Sequence, residues 1–394
     1  MPLAADVVRA IDEAVDREAT ALSDLALKIH ANPELRFEER NACAWIAELV
    51  RARGHAVEVG VGGLETALLA RSGRARTGAP RVAILAEYDA LPDIGHACGH
   101  NLIAAAAVGA FLAAAPHADA LGGEVILIGT PAEEGGGGKL RLLDAGVFEG
   151  IDAAMMIHPF DRDVLAHPAL ANLWIRFSFK GTPAHAAIAP FEGKSALTAC
   201  LDTFRLIDGQ RVHFRDGVRV HGFVMDGGQA VNIVPERASC EFSVRARDVA
   251  ELARVKAIAL RCARAAAMAS DVAIEVEERR GYADLRNNMA LARAFGAHAT
   301  SLGRTVRESD PRVGAGSTDM GDVSHAVPSI HPWMGIVDEN ESQCHTRAFA
   351  EAARSVRGLT TAHASAKSLA RTALEVIADP DLRTRARAEF DSSH

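Results

Sequence analysis

Apolar residues recur at helical spacing through Val7, Val8, Ile11 and Val15, and again through Ala42, Ile46, Leu49 and Val50. Residues 3–53 therefore read as two helices, with a turn at His30-Ala-Asn-Pro-Glu-Leu between them. The pattern then shortens. His55–Val61, Thr66–Ala70, Val82–Ala86, Glu124–Gly129 and Ala153–Ile157 read as strands, interleaved with an alanine-rich helix over 102–115 and a short one around Leu140–Ala145. Strands alternating with helices predict an α/β fold, a mostly parallel sheet covered by helices on both faces.

From about Ala171 the rhythm changes. Leu173–Lys180 alternates as a half-buried strand, and the stretch Gly181–Pro190 is expected to open a helix running to Ile207. Strands His221–Met225 and Cys240–Arg245, a helix Val249–Ala269 and a strand Val272–Glu277 complete the order βαββαβ. That order is the ferredoxin-like α+β pattern, and it predicts an inserted domain over 171–282. Residues 1–170 and 283–394 then form the two parts of one domain, which Ala348–Ala378 closes as a long helical region.

Composition narrows the class. The net charge of −8 is spread along the chain, and no basic patch studded with aromatics occurs, which argues against nucleic acid. The beginning MPLAADVVRAIDEAVDREA carries acids where a signal peptide needs basic residues, and no apolar run approaches the ~18 residues of a membrane span. Six scattered cysteines do not suggest a disulfide framework. A cytoplasmic protein with no membrane partner is expected.

Chemistry gathers at the predicted strand ends. Val82–Ala86 delivers Glu87 and Asp89, and after Pro92 and Gly95 come His96, Cys98 and His100, two residues apart. A thiol and two imidazoles at a strand-to-helix turn suggest a first-row metal, most simply zinc. Asn101 stands where it could cap the following helix. Strand 124–129 ends in Thr130-Pro-Ala-Glu133-Glu134, and strand 153–157 in His158-Pro159. Four glycines and Lys139 follow Glu134, but Leu140 replaces the Ser or Thr of a phosphate loop, so that reading fails.

ACGHN at 97–101, PAEEGGGGK at 131–139, His158-Pro159, GTPAHAA at 181–187, GGQAVNIVPE at 227–236, GSTDMGD at 316–322 and Cys344-His345 come in order along nearly the whole chain. Together they resemble the metallopeptidase and amidohydrolase family of aminoacylase, carboxypeptidase G and hippurate hydrolase. The nearest branch is that of aminobenzoyl-glutamate hydrolase and the aminoacylase-like dipeptidases. The resemblance implies a zinc-peptidase-like catalytic domain and two divalent ions per chain (Zn²⁺, or Mn²⁺ or Co²⁺). Cys98 matches the bridging ligand, and His100, Glu134, His158 and His345 match the others. Glu133 matches the general base, and His185 an oxyanion-stabilising histidine donated by a neighbouring protomer in a homodimer. Asn232 and Arg245 match holders of the substrate carboxylate, and Asp319 is expected behind a ligand. His96 and His331 stand between site lining and local structure, and Cys344 is expected to be a small buried residue. Asn101 and Thr318 replace the Asp and Glu of many relatives without costing a ligand.

The implied activity is hydrolysis of a small-molecule amide, R-CO-NH-CHR′-COO⁻, in an N-acyl amino acid, a dipeptide or an aminobenzoyl-glutamate-like conjugate. An alternative is a dipeptidase for β-alanyl or other ω-aminoacyl groups, with Glu87 or Asp161 binding the free amine. A non-catalytic binding protein would be signalled by loss of Glu133 or of ligands, and none is lost.

Overall fold

A computed structural model describes residues 3–73 and 77–392. Helices α1 (Ala5–Ala31) and α2 (Arg40–Ala52) open the chain, followed by β1 (Val57–Val59), β2 (Leu68–Arg71) and β3 (Arg81–Ala86). Then come α3 (His100–Ala118), β4 (Glu124–Gly129), α4 (Gly138–Asp144), β5 (Ala153–Met155) and β6 (His158–Phe160). The middle of the chain forms β7 (Ala171–Lys180), α5 (Ala196–Gln210), β8 (Arg219–Asp226), β9 (Arg237–Ala246), α6 (Val249–Ala269) and β10 (Ala273–Arg280). Helix α7 (Met289–Ser301), β11 (Ser329–Ile330), β12 (Trp333–Gly335) and the helix Val356–Ala378 follow. The chain divides into two compact units. The first comprises Met1–Pro168, Arg286–Ala315 and Asp322–His394, the second Ala169–Leu285 and Gly316–Gly321.

In the first unit the sheet order is β1-β2-β4-β3-β5-β11. Pairs β4/β3, β3/β5 and β5/β11 are parallel, whereas β1/β2 and β2/β4 are antiparallel. The sheet is therefore mixed, with a parallel centre and an antiparallel edge. Central strands β3 and β4 are almost wholly buried, as continuous apolar runs covered on both faces should be. Helix α3 runs through Pro116 to Ala118, longer than the apolar pattern predicts. Its length and composition would allow a membrane crossing, but 83% of its most apolar window is buried inside the protein. Alanines keep its flanks thin. At Gly109 even a Cβ would come 2.7 Å from Leu22 of α1.

Parallel pairing of β3 with β4 in the register Ala86↔Gly129 brings two chemically rich loops out at one sheet edge. The Thr130 amide donates to the Ala86 carbonyl at 2.7 Å and ties the loops together at their roots. Strand β6 pairs with β12 in a separate parallel ribbon, His158 opposite Trp333. Gly99, at φ +76°, lies so close to Pro159 that a Cβ would meet its Cγ at 2.8 Å. The Cys98–His100 turn therefore packs against the segment that carries His158.

The second unit is ferredoxin-like: β7, β8, β9 and β10 form an antiparallel sheet of order β10-β7-β9-β8. Helices α5 and α6 bury one face of that sheet around Phe177, Phe242, Val244 and Val255. Ser195 caps α5 and Asp248 caps α6 through their side-chain oxygens. One expectation fails here. His185 opens no helix, because α5 begins only at Ala196, and residues 182–194 form a loop closed by the bridge Thr182↔Lys194.

Asn101 also departs from expectation. It sits inside α3, whose N-cap position is Gly99, and makes no cap. Its buried amide instead donates to the carbonyls of Ala26 (3.2 Å) and Ala353 (2.9 Å), tying α3 to α1 and to the short helix Arg347–Ala352. Asn101→Ala should cost about 1–3 kcal/mol, the usual penalty for depriving buried acceptors of their donor. Chemical denaturation at neutral pH checks this, with an unchanged midpoint as the contrary result.

Candidate metal centre

Six residues from the two sheet-edge loops, from β6 and from a late loop converge in the first unit. One donor atom each from Cys98, His100 and His158 lie within 4.8 Å of one another. The same holds for Cys98, Glu134 and His345, and for His100, Glu133 and Glu134. Cys98 thus belongs to two donor sets at once, the arrangement a bridging thiolate requires. His345 Nε2 lies 3.0 Å from Cys98 Sγ and 3.4 Å from Glu134 Oε1, and His100 Nε2 lies 3.9 Å from Glu133 Oε2. The rings of His100 and His158 are 6.1 Å apart, edge to face.

His100 and His158 are each aimed by the other ring nitrogen. His100 Nδ1–H donates to the Asp89 carboxylate at 3.0 Å and to its carbonyl at 2.9 Å, leaving Nε2 for the cluster. His158 Nδ1–H donates to the Pro159 carbonyl at 2.7 Å. The His345 amide donates to Ala97 O at 2.9 Å, with His345 at φ 67°, which pins the late loop to the chain beside Cys98. Asp89 holds a second ligand as well, since its Oδ2 accepts from the Glu134 amide at 2.9 Å. Behind that loop, buried Glu39 accepts from the amides of Phe37 and Ala132 and from the Thr66 hydroxyl, each at 2.9 Å. Burial pushes its carboxyl up to about 7.

The buried groups of the cluster shift one another's titration. The neighbouring Cys344 thiol, then burial and Glu134, hold the Cys98 thiol well above its ordinary pKa. Burial opposes a charged His100, but Asp89 and Glu87 together raise it well above the usual imidazole range. Burial and His100 bring His158 down to about 4, so it is a neutral donor near pH 7. Burial works against Glu134, yet His345 and His100 keep it below the usual carboxylate range. Buried His100 Nε2 makes no hydrogen bond. Soft sulfur, borderline nitrogen and hard oxygen suit Zn²⁺, Mn²⁺ or Co²⁺, and the donor set fits two such ions sharing Cys98.

The remaining expected site residues lie in the second unit. His185 and Asn232 come together there through the bridge His185↔Ile233 and a 3.0 Å bond from the Ala186 amide to Asn232 O. Exposed His185 accepts on Nδ1 from the amides of Ala187 (3.2 Å) and Ile188 (3.3 Å), which leaves its proton on Nε2. Arg245 sits apart on β9, 3.4 Å from the Ser317 hydroxyl, and Asp319 is fully buried.

Several residues named from the sequence without an assigned place take one in the structure. Asp89 is the residue that orients His100 and Glu134, and its one sequence signal was its place at a strand's C-terminal edge. His331 is buried with its ring 5.4 Å from that of His158, so it lines the cluster. Cys344 is only partly buried and donates to Pro159 O at 3.8 Å. Glu87 and Asp161, considered as anchors for a substrate amine, are already engaged. Glu87 is fully buried on Lys139 (2.5 Å), and Asp161 grips Arg162 through both oxygens at 2.7 Å.

Comparison with known proteins agrees with this geometry. The model of Peptidase family M20/M25/M40 matches residues 83–369. The Xaa-Arg dipeptidase of Mus musculus is 36% identical over 392 residues, covering 96% of this chain and 90% of that protein. A p-aminobenzoyl-glutamate hydrolase protein of Escherichia coli is 31% identical over 291 residues, 68% of this chain and 60% of its own length. Among solved structures, a dinuclear metal binding peptidase from the M20 family of Bacillus subtilis superposes with a TM-score of 0.71 at 22% identity, covering 91% of this chain and 99% of its own. The aminobenzoyl-glutamate utilization protein of Klebsiella pneumoniae also gives 0.71, at 19% identity over 93% of this chain and 98% of its own. With its donor sets meeting at one cysteine and a family match across most of its length, the chain belongs to peptidase family M20/M25/M40 and is a metal-dependent amidohydrolase.

Proposed function

We propose that the protein is a dipeptidase that cleaves R-CO-NH-CHR′-COO⁻ at the amide preceding the free carboxylate. The observation that carries the chemistry is Glu133 beside two donor sets that share Cys98. The preference for dipeptides rests on 36% identity to an Xaa-Arg dipeptidase along nearly the whole chain. Of the two acids considered for a β-alanyl amine, Asp161 has both oxygens on Arg162, and Glu87, fully buried, keeps one unbonded oxygen.

In this reading Cys98, His100 and His158 would hold one divalent ion, and Cys98, Glu134 and His345 the other. Ions bound there would supply Lewis acidity to the scissile carbonyl and to a water. Glu133 takes the proton from the attacking water as it adds to the carbonyl carbon, and delivers it to the departing amine nitrogen as the C–N bond breaks. His185, its proton fixed on Nε2 by two backbone donors, donates to the developing oxyanion. Arg245 offers a fork for the substrate carboxylate, assisted by Asn232. Asp319 takes the role of orienting a ligand.

A homodimer is part of the proposal. Strand β8 is an edge strand whose Phe223, Val224 and Met225 are exposed, and an open edge of that kind invites pairing with a second copy.

Chelator-treated protein should be inactive and regain activity with two equivalents of Zn²⁺, Mn²⁺ or Co²⁺ per chain. Assayed across Xaa-Arg, neutral and β-alanyl dipeptides, N-acetyl amino acids and aminobenzoyl-glutamate, it should prefer a dipeptide class. A highest kcat/KM on aminobenzoyl-glutamate would move the substrate to acyl conjugates. Metal uptake below half an equivalent by elemental analysis would end the metallohydrolase reading.

Glu133→Gln should lower kcat roughly 10²–10⁴-fold, the range for a lost general base, while metal content stays at two equivalents. A variant retaining a tenth of the wild-type rate would acquit Glu133.

If His185 serves a partner's reaction, inactive His185→Ala and Glu133→Gln chains should complement after the protomers exchange. About half of randomly mixed dimers are hybrids with one intact site, so roughly a quarter of wild-type activity should return. Confirmed exchange without recovery would place His185 in its own chain's reaction or outside catalysis.

A further inference from the structure

Lys139, left without a task when the phosphate-loop reading failed, is buried in the first unit with no side-chain exposure. The glycines before it make that possible. At Gly138 a Cβ would fall 1.8 Å from the Pro131 carbonyl oxygen, so only glycine lets the chain double back after Glu134 and send Lys139 inward at the start of α4. Its ammonium meets Glu87 Oε1 at 2.5 Å, and Glu87 is equally buried. The second Glu87 oxygen, Oε2, makes no hydrogen bond and lies 3.4 Å from His100 Nε2, the nitrogen that Asp89 has turned toward the cluster.

The three groups therefore stand in sequence, ammonium, carboxylate, ligand nitrogen, with the negative end of a buried ion pair facing His100 Nε2. Two charges out of water are costly, and an apolar pair of the same volume would serve stability at least as well. What an apolar pair cannot do is present a fixed negative oxygen beside an incoming cation. We propose that Lys139 is a positioning residue for one of the two ions: it fixes Glu87, whose free oxygen favours a divalent cation in the Cys98–His100–His158 set. The other set, Cys98–Glu134–His345, contains no contact to Glu87 in the described residues. The inference rests on the dinuclear reading above.

Calorimetric titration of metal-free protein with Co²⁺ tests it, alongside thermal unfolding of the metal-free forms. Wild type should bind two equivalents. Lys139→Met and Glu87→Gln should each weaken one equivalent ten- to a hundredfold, the usual effect of disturbing a ligand's supporting groups, and leave the other within threefold. The double variant Lys139→Met/Glu87→Gln, which leaves neither charge buried alone, carries the test should a single variant fail to fold, and should show the same one-site loss. Two equivalents bound with wild-type affinity in the folded variants would overturn the proposal, and so would equal weakening of both equivalents. Wild type that binds no Co²⁺ would overturn the dinuclear reading itself, and this inference with it.

Discussion

Everything at the metal centre depends on one buried carboxylate. Asp89 emerges just beyond β3, accepts from His100 Nδ1 with one oxygen and from the Glu134 amide with the other. One donor set contains His100 and the other Glu134, so a single side chain registers both. Burial alone would push this carboxyl up, but His100 and the Glu134 amide keep it ionised below the usual range. An ionised group that bonds two ligand-bearing loops fixes their spacing more tightly than apolar packing would, because charge-assisted bonds are short and directional. The parallel pairing of β3 with β4 makes this possible, by bringing both loops out at the same sheet edge.

Around that pin the protein spends stability on charge. Glu39, Glu87, Asp89, His100, Lys139 and Glu133 are all buried, and a core of this composition is expensive unless its charges are matched. Three kinds of match appear. Glu39 is satisfied by two backbone amides and a hydroxyl, Glu87 by Lys139, and Asp89 by an imidazole and an amide. In the proposed reading a cation held by Cys98, His100 Nε2 and Glu134 would satisfy sulfur, nitrogen and oxygen together and would displace protons on binding. Local destabilisation of this sort marks functional sites rather than structural ones.

The second unit follows a different physical logic. Its core is apolar and its caps are ordinary. The loop that carries His185 is held by its own backbone: two successive amides donate to Nδ1, which leaves Nε2 as the ring's donor. No helix is needed for this, and none is present.

The sequence by itself determined the fold class and, through ordered motifs that resemble one metallopeptidase family, the family and the six residues that meet at the centre. Periodicity reports which face is buried, and ligand types clustered at strand ends report chemistry, and both are local properties of the chain. The strands 124–129 and the helix 249–269 match the predicted limits for that reason. Tertiary structure alone decided whatever depends on partners distant in sequence. Asn101 looked like a cap, yet it bonds residues 75 and 252 positions away. Glu39, 93 residues from Ala132, and Lys139, 52 from Glu87, carry no local signal, because a buried charge is explained only by the group that neutralises it. The antiparallel edge of the sheet was hidden for the same reason: a short apolar run reads alike in either direction, and only its neighbour in space sets its sense.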